Sequence, residues 1–250
     1  MKIVTFAALA VVVGLAGTAP GQAGEANVAV AANFTAAAQE IAAAFKDHSG
    51  HSVRLSFGAS GTLTTQITQG APFDVFLSAD SERPRQLVAA GQAVPESRFT
   101  YAIGSLVLWS RDPGVVQGEA TLRKAAFARL AICNPGAAPY GAAAVETLRA
   151  LGLYDKLQPR LVEGANIAQA FQFVDTGNAE VGFVALAQLA GSDRGSRWVV
   201  PQELYQPIRQ DGVLLQKGAA NPAATAFLAF LKAPEARAII ARYGYITDHN

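Results

Sequence analysis

Four short segments place small or polar residues where a strand pattern gives way to a helix pattern, at residues 32–35, 58–62, 139–141 and 164–167. Such junctions border the ligand crevice in open α/β sheets. The first N–H groups of a helix lack intrahelical partners, and a helix start carries partial positive charge. A helix start therefore attracts an anion without help from Lys or Arg. Together the four junctions predict a binding site for one small oxyanion.

The side chains at these junctions also have a purely structural interpretation. Asn33, Ser60 and Asn166 are residue types that cap helices by accepting a hydrogen bond from their own helix. At any single junction that structural role is the favoured one, and it is the repetition at four junctions that favours a binding site. Gly58 and Gly61 add to this interpretation, because glycine lets a main chain approach a ligand closely.

A secreted serine hydrolase with Ser60 as nucleophile is the competing hypothesis from another functional class. The sequence GASGT around Ser60 does not match the G-x-S-x-G pattern of a nucleophile elbow. A general base is also missing, since His48 and His51 flank a turn and His249 is the penultimate residue. We expect all three histidines to lie on the surface and the protein not to be an enzyme.

The sequence contains no motif for a metal site or a cofactor site. His48 and His51 are separated by Ser-Gly, which breaks any helix that would hold them on one face. The glycines of residues 58–61 lack both the lysine of a phosphate-binding loop and the spacing of a dinucleotide fingerprint. Cys133 is the single cysteine, so no intramolecular disulfide and no thiolate pair can form. We predict no cofactor and no directly coordinated metal.

The amino-acid composition further narrows the functional class of the protein. Of the 250 residues, 51% are hydrophobic and 16% are charged, which is typical of a globular chain with a large core. Twenty basic and 19 acidic residues leave a net charge of +1. A nucleic-acid or anionic-membrane binder relies on a broad positive field, which this chain lacks. Any bound anion must therefore be held by local contacts, and nucleic acid is not an expected partner.

The first residues resemble a secretory signal peptide. Lys2 precedes an apolar run over residues 3–15, and small residues follow up to a cleavage site after Ala23, with Ala19 as the alternative. The apolar run of about 13 residues is shorter than the roughly 20 that span a bilayer. The segment has no cysteine for a lipid anchor. We predict that residues 1–23 are removed and that the mature protein is soluble and periplasmic.

From residue 27 onward, apolar runs alternate with helical patterns, as in α/β chains with mostly parallel strands. Strands are predicted over residues 27–32, 51–57, 73–77, 101–110, 129–133 and 181–186. No long linker divides the chain, so we predict two α/β lobes joined by crossing strands near residues 103–109 and 207–215. The first lobe would comprise residues 24–103 plus 214–250, and the second lobe residues 104–213.

Several of these segments resemble one known family, the extracytoplasmic molybdate-binding proteins of ABC transporters. The resemblance is carried by AANFT at 31–35, FGASGTL at 57–63, GAPFDVFLSAD at 70–80, the segment 134–141 and RYGY at 242–245. It extends over essentially the whole mature chain. It implies a two-lobed periplasmic-binding-protein fold of type II, in which each lobe is a mixed, mostly parallel sheet flanked by helices. The ligand would lie in the cleft between the lobes.

The resemblance also implies a ligand and its contacts. The ligand would be tetrahedral molybdate or tungstate, bound by hydroxyl, amide and main-chain N–H donors. Asn33 and Ser60 would donate from side chain and main chain in the first lobe, and Tyr140 and Ile167 mainly from the main chain in the second. A secondary set comprises Ala32, Ala59, Asn166 and Ala185. The protein would act as a monomer and pass its ligand to a membrane permease and its ATPase.

Two positions depart from the family pattern. Some members have a tyrosine hydroxyl where this chain has Ala185, and others have threonine where it has Ala32, so Tyr140 or Ala59 would complete the donor set. A site made only of donors favours deprotonated molybdate, tungstate and sulfate over phosphate, which keeps a proton and needs an acceptor. This selectivity requires that Asp80, a predicted cap of the following helix, does not touch the ligand. Sulfate is the alternative oxyanion.

Overall fold

The computed structural model describes residues 23–247, so the predicted signal peptide lies outside the described residues except for Ala23, and so does His249. Within this range the strands are β1 (Glu25–Ala31), β2 (Ser52–Gly58), β3 (Val75–Leu77), β4 (Phe99–Gly104), β5 (Leu106–Ser110), β6 (Leu130–Cys133), β7 (Leu161–Gly164), β8 (Val181–Ala185), β9 (Ser196–Val199) and β10 (Ile208–Leu214). The α-helices are α1 (Thr35–Ser49), α2 (Ser60–Thr68), α3 (Glu82–Ala89), α4 (Ala120–Lys124), α5 (Pro139–Ala150), α6 (Tyr154–Leu157), α7 (Ile167–Asp175), α8 (Pro222–Phe230) and α9 (Pro234–Arg242). None of the described helices is both long and apolar enough to cross a membrane.

The strands form two five-stranded sheets with the orders β2-β1-β3-β10-β4 and β7-β6-β8-β5-β9. In the first sheet β1 pairs in parallel with β2 and β3, and in the second β6 pairs in parallel with β7 and β8. Antiparallel strands complete each sheet, because β10 pairs with β3 and β4, and β5 pairs with β8 and β9. The predicted fold of two mixed α/β lobes is confirmed, but the sheets are not mostly parallel as predicted, since two of the four strand pairings in each are antiparallel.

The chain passes from the first sheet to the second at Ser105, which separates β4 from β5. The sequence predicted one strand over residues 101–110, and the structure divides it because its two halves pair in different sheets. The chain returns between β9 and β10. The predicted end of the second lobe at residue 213 is wrong, since β10 pairs with β3 and β4 and so belongs to the first sheet. We propose lobe boundaries at Ser105 and within residues 200–207.

Helical periodicity explains how the helices cover the first sheet. In α1 the side chains of Ala38, Ile41 and Phe45 share one face and are almost completely buried. The same cluster contains Phe227 of α8 and Ile240 of α9. Strands β7 and β9 were not predicted, because each has four residues and a half-exposed burial pattern that offers no long apolar run.

Candidate oxyanion-binding site

A small cleft lies beside the carboxyl ends of β1 and β2 in the first lobe and the segments that follow β6 and β7 in the second. Its lining brings together all four predicted junctions, and consists of Ala31, Ala32, Asn33, Gly58, Ala59, Ser60, Ala79, Ala138, Pro139, Tyr140, Asn166 and Ile167. The free space inside the cleft is about 10 Å³. Pockets for organic ligands usually enclose about 300–1,000 Å³, so this cleft is too small for an organic ligand.

Asn33 lies in a 3-10 turn between β1 and α1 and is 4% exposed. Its side-chain amide donates to Oε1 of Gln210 at 2.8 Å and to the hydroxyl of Tyr245 at 3.0 Å. The hydroxyl of Tyr245 donates in turn to the carbonyl of Asn33 at 2.8 Å. Both N–H groups of the amide are thus occupied, contrary to the predicted side-chain donation to the ligand. The side chain holds the turn, and the main-chain N–H is the donor left for an anion.

Ser60 is the first residue of α2 and is 1% exposed. Its Oγ accepts a hydrogen bond from the N–H of Ala79 at 2.9 Å, and the residue that precedes the helix is Ala59. Ser60 is therefore not a helix cap. A hydroxyl both accepts and donates, so a fixed acceptor bond leaves the proton available to a ligand. No hydrogen bond within the described chain uses the main-chain N–H of Ser60, which makes two donors at this position.

Tyr140 is the second residue of α5, behind Pro139. Proline has no N–H, and the N–H of Gly141 donates to the carbonyl of Ala138 at 2.9 Å. The N–H of Tyr140 is thus the donor that this helix start presents. The hydroxyl of Tyr140 accepts from Nε2 of Gln210 at 3.3 Å, so it belongs to the buried network that also holds the first-lobe turn.

Ile167 is the first residue of α7, and Asn166 caps that helix by accepting from the N–H of Gln169 at 3.1 Å. The structural interpretation of the Asn166 side chain is therefore confirmed. No hydrogen bond within the described residues uses the N–H of Ile167. The second lobe, like the first, offers main-chain donors at two helix starts.

The secondary candidates divide into two groups. Ala32 and Ala59 line the cleft, where only their main chains can bond a ligand. Ala185 does not line it, because its N–H donates to Oε1 of Gln188 at 2.9 Å. Nε2 of Gln188 donates to the carbonyl of Ile167 at 3.1 Å. The end of β8 therefore positions the start of α7 instead of facing the cleft.

None of the described residues that line the cleft has a charged side chain. Asp80 forms an ion pair with Arg83 and accepts from the N–H of Arg83 at 2.9 Å, in the first turn of α3. The N-cap position itself is held by Ser81 and not by Asp80 as predicted, and Asp80 does not line the cleft. His48 is exposed and His51 is half-buried, and neither lines the cleft. Among residues 23–247, no group of three or more His, Cys, Asp and Glu is arranged to hold a metal. Positive potential in the cleft therefore comes from the helix starts.

Among the lining residues within the described range 23–247, Tyr140 is the one that can titrate. Burial raises the pKa of its hydroxyl well above the usual value, and the nearby Tyr245 and Tyr101 raise the pKa further. The hydroxyl of Tyr140 is therefore neutral at physiological pH. Burial also raises the pKa of the Cys133 thiol, to about 12, which leaves this cysteine unreactive.

Sequence reasoning missed the network behind the cleft. Gln210 of β10 is fully buried, and its Oε1 lies 3.2 Å from the hydroxyl of Tyr101 in addition to its bond with Asn33. Tyr245 was part of the RYGY motif but received no role. The available signal was the polar run Arg-Gln-Asp inside the β10 strand, since polar residues within a buried strand need partners.

Known proteins share this architecture. The sequence profile of the bacterial extracellular solute-binding proteins matches residues 26–246. The chain is 56% identical over 241 residues to the molybdate-binding protein ModA of Rhodobacter capsulatus, covering 96% of this chain and 95% of the relative. It is 55% identical over 228 residues to ModA of Azotobacter vinelandii, covering 90% of each. The structure of the periplasmic molybdate-binding protein of Azotobacter vinelandii superimposes with a TM-score of 0.87 at 42% identity, covering 90% of this chain and 100% of that one. The chain belongs to the bacterial extracellular solute-binding protein family.

Proposed function

We propose that this protein captures molybdate, and tungstate through the same contacts, and delivers it to an ABC importer. The observation that carries the proposal is the cleft lining, which combines donors from both lobes with no charged side chain. Relatives that share 56% and 55% of their residues with this chain are molybdate-binding proteins by name. Their likeness supports the same ligand here.

In the proposed mechanism, neutral donors hold the dianion. The first lobe supplies the main-chain N–H groups of Asn33 and Ser60 together with the Ser60 hydroxyl, and the second lobe supplies the N–H groups of Tyr140 and Ile167. The helix starts add partial positive charge without a counter-ion. Because the donors belong to two lobes, only the closed form satisfies the ligand, which therefore shifts the population toward closure.

Selectivity against phosphate follows from the same donor set. Phosphate keeps a proton near neutral pH and needs an acceptor, whereas molybdate, tungstate and sulfate do not. The carboxylate of Asp80, which follows the cleft-lining residue Ala79, is engaged by Arg83. We expect weak phosphate binding for this reason. Sulfate matches the charge of molybdate, so size must separate the two anions in the cleft.

The proposed cellular role follows from the family. Removal of residues 1–23 would release a monomer into the periplasm, where it would load and then dock on a transmembrane permease with its ATPase. The protein would be a carrier and not an enzyme, and molybdate would be its cargo and not a cofactor. Membership of the solute-binding family supports this role.

Thermal unfolding of the mature chain with molybdate, tungstate, sulfate and phosphate at equal concentration tests the proposal. A ligand at about 1,000 times its Kd adds about 4 kcal/mol, which raises the midpoint by roughly 8–16 °C for a chain of this size. We expect that shift with molybdate and tungstate alone. An equal shift with sulfate would favour the other oxyanion, and no shift with any of the four would overturn the proposal.

A further inference from the structure

One turn of the second lobe, residues 134–138 between β6 and α5, contacts the first lobe directly beside the cleft. The main-chain N–H of Gly61 donates to the carbonyl of Ala137 at 2.8 Å. Nη2 of Arg83 donates to the carbonyl of Gly136 at 3.0 Å. None of these four residues lines the cleft. The two hydrogen bonds therefore join the lobes without touching the anion site.

The turn is shaped within its own lobe to present these carbonyls. Oδ1 of Asn134 accepts from the N–H of Gly136 at 2.9 Å and from the N–H of Ala137 at 3.1 Å. An Asn side chain that bonds the following N–H groups stabilises a tight turn. With their N–H groups held by Asn134, both residues direct their carbonyls at the first lobe. The turn leads straight into α5, so its position sets that of the Tyr140 donor.

Arg83 is likewise oriented before the lobes meet. Its guanidinium pairs with Asp80 of the same lobe, and its side chain is 21% exposed, compared with 66% for Arg85 on the same helix. A planar guanidinium can donate hydrogen bonds to two acceptors at once and loses little conformational freedom in doing so. At Gly61, an added Cβ would lie 3.1 Å from Cα and the carbonyl oxygen of Ala137. The absence of a side chain therefore permits the close approach of the turn.

We propose that Arg83 is a positioning residue that latches the 134–138 turn to the first lobe and slows release of the anion. The inference rests on the proposed function, since it requires a protein that closes over its ligand. Arg83 stays paired with Asp80 in both the open and the closed form, and it bonds the carbonyl of Gly136 only when the lobes close. Contacts made after the anion has entered act on the dissociation rate and not on the association rate.

The test compares stopped-flow kinetics of molybdate binding to the wild type, Arg83→Gln and Arg85→Gln. We expect Arg83→Gln to raise the dissociation rate about tenfold, the loss expected for one hydrogen bond from a charged donor, with the association rate within about twofold. Arg85→Gln is the matched control, because Arg85 pairs with Glu82 on its own helix. It should match the wild type. An unchanged dissociation rate in Arg83→Gln overturns the latch.

Gly61→Ala provides a second variant that leaves every charge in place. Alanine is favoured over glycine in helices, so the variant keeps α2 while the added methyl group holds the turn away. It should show the same rise in the dissociation rate. If the wild type binds none of the four anions, the proposed function fails. The contact of Arg83 with the 134–138 turn is then tested by hydrogen exchange at the Gly61 amide of the ligand-free protein. Faster exchange in Arg83→Gln than in Arg85→Gln supports it, and equal exchange overturns it.

Discussion

In the first lobe β1 and β2 lead to Asn33 and Ser60, and in the second lobe β6 and β7, which occupy the same places in their sheet, lead to Tyr140 and Ile167. The strand orders of the two sheets correspond one to one. The donors differ in kind, however. In the proposed site, the first lobe adds a side-chain hydroxyl, that of Ser60, whereas both donors of the second lobe are main-chain N–H groups.

The two lobes would thus contribute different kinds of donor to one site. A side-chain donor is lost by a single substitution that leaves the backbone in place. A main-chain donor survives the substitution of its own side chain and is lost only when its helix moves. The first half of the cleft should therefore be sensitive to changes in side-chain chemistry, and the second half to changes in packing.

The largest expected effect is that of Gly141→Ala in the second lobe. An added Cβ would lie 2.1 Å from the carbonyl oxygen of Cys133, so α5 must move away from β6 and carry the Tyr140 donor with it. We expect molybdate affinity to fall more than about 100-fold and the free energy of unfolding to fall by about 1–3 kcal/mol or more. Titration calorimetry and urea unfolding measure both quantities.

Gly58→Ala is the matched substitution in the first lobe. There an added Cβ meets the flexible side chain of Leu63 at 3.3 Å, and no main-chain atom lies as close. We expect a much smaller loss of affinity than for Gly141→Ala. Equal losses at the two glycines would remove the distinction between the lobes.

A second, smaller effect contrasts Ser60→Ala with Ile167→Val. Loss of the Ser60 hydroxyl removes a donor to the anion and should cost about 1.5–3 kcal/mol of binding, at least tenfold in Kd. Ile167→Val keeps its N–H, so affinity should change less than about twofold while the free energy of unfolding falls by about 0.5–1.5 kcal/mol. Isothermal titration calorimetry measures the affinity of both variants, and urea unfolding measures their stability. Similar affinities for the two would contradict the assignment of Ser60.

The smallest expected effect is that of pH on affinity. Tyr140, the titratable residue of the lining, has a pKa raised by burial, so affinity should change less than about twofold from pH 6 to 9. A steady fall in molybdate affinity over this range would show that a titrating group contacts the anion.

We expect alkaline pH to lower the free energy of unfolding, although it leaves the affinity for the anion almost unchanged. Burial raises the pKa of Cys133 to about 12 and also raises the pKa values of Tyr101 and Tyr245, so the unfolded chain ionises first. The stabilising contribution is thus complete below about pH 8 and is lost as pH rises, by up to about 1.4 kcal/mol per unit and group. Thermal midpoints from pH 7 to 11 measure it. Cys133→Ala should delay the onset, and an unchanged onset would contradict the role of the thiol.

Much of the fold was predictable because its signals are local. Short apolar runs predicted β1, β2 and β8, and helical spacing accounts for the buried face that Ala38, Ile41 and Phe45 form on α1. The short edge strands β7 and β9 gave no such signal. The assignment of β10 to the first sheet was also beyond reach, since strand pairing depends on partners far away in the chain.

The sequence by itself determined that four helix starts with small or polar residues are available to a small anion, because capping preferences and hydrophobic periodicity act over a few residues. Only the tertiary structure decided which donors at these helix starts are left without a partner among the described residues. It directed the Asn33 amide to Gln210, 177 positions away, and left Ser60 with a free hydroxyl proton. It also brought Arg83 against the carbonyl of Gly136. Such contacts join residues that are far apart in the chain, which no local pattern records.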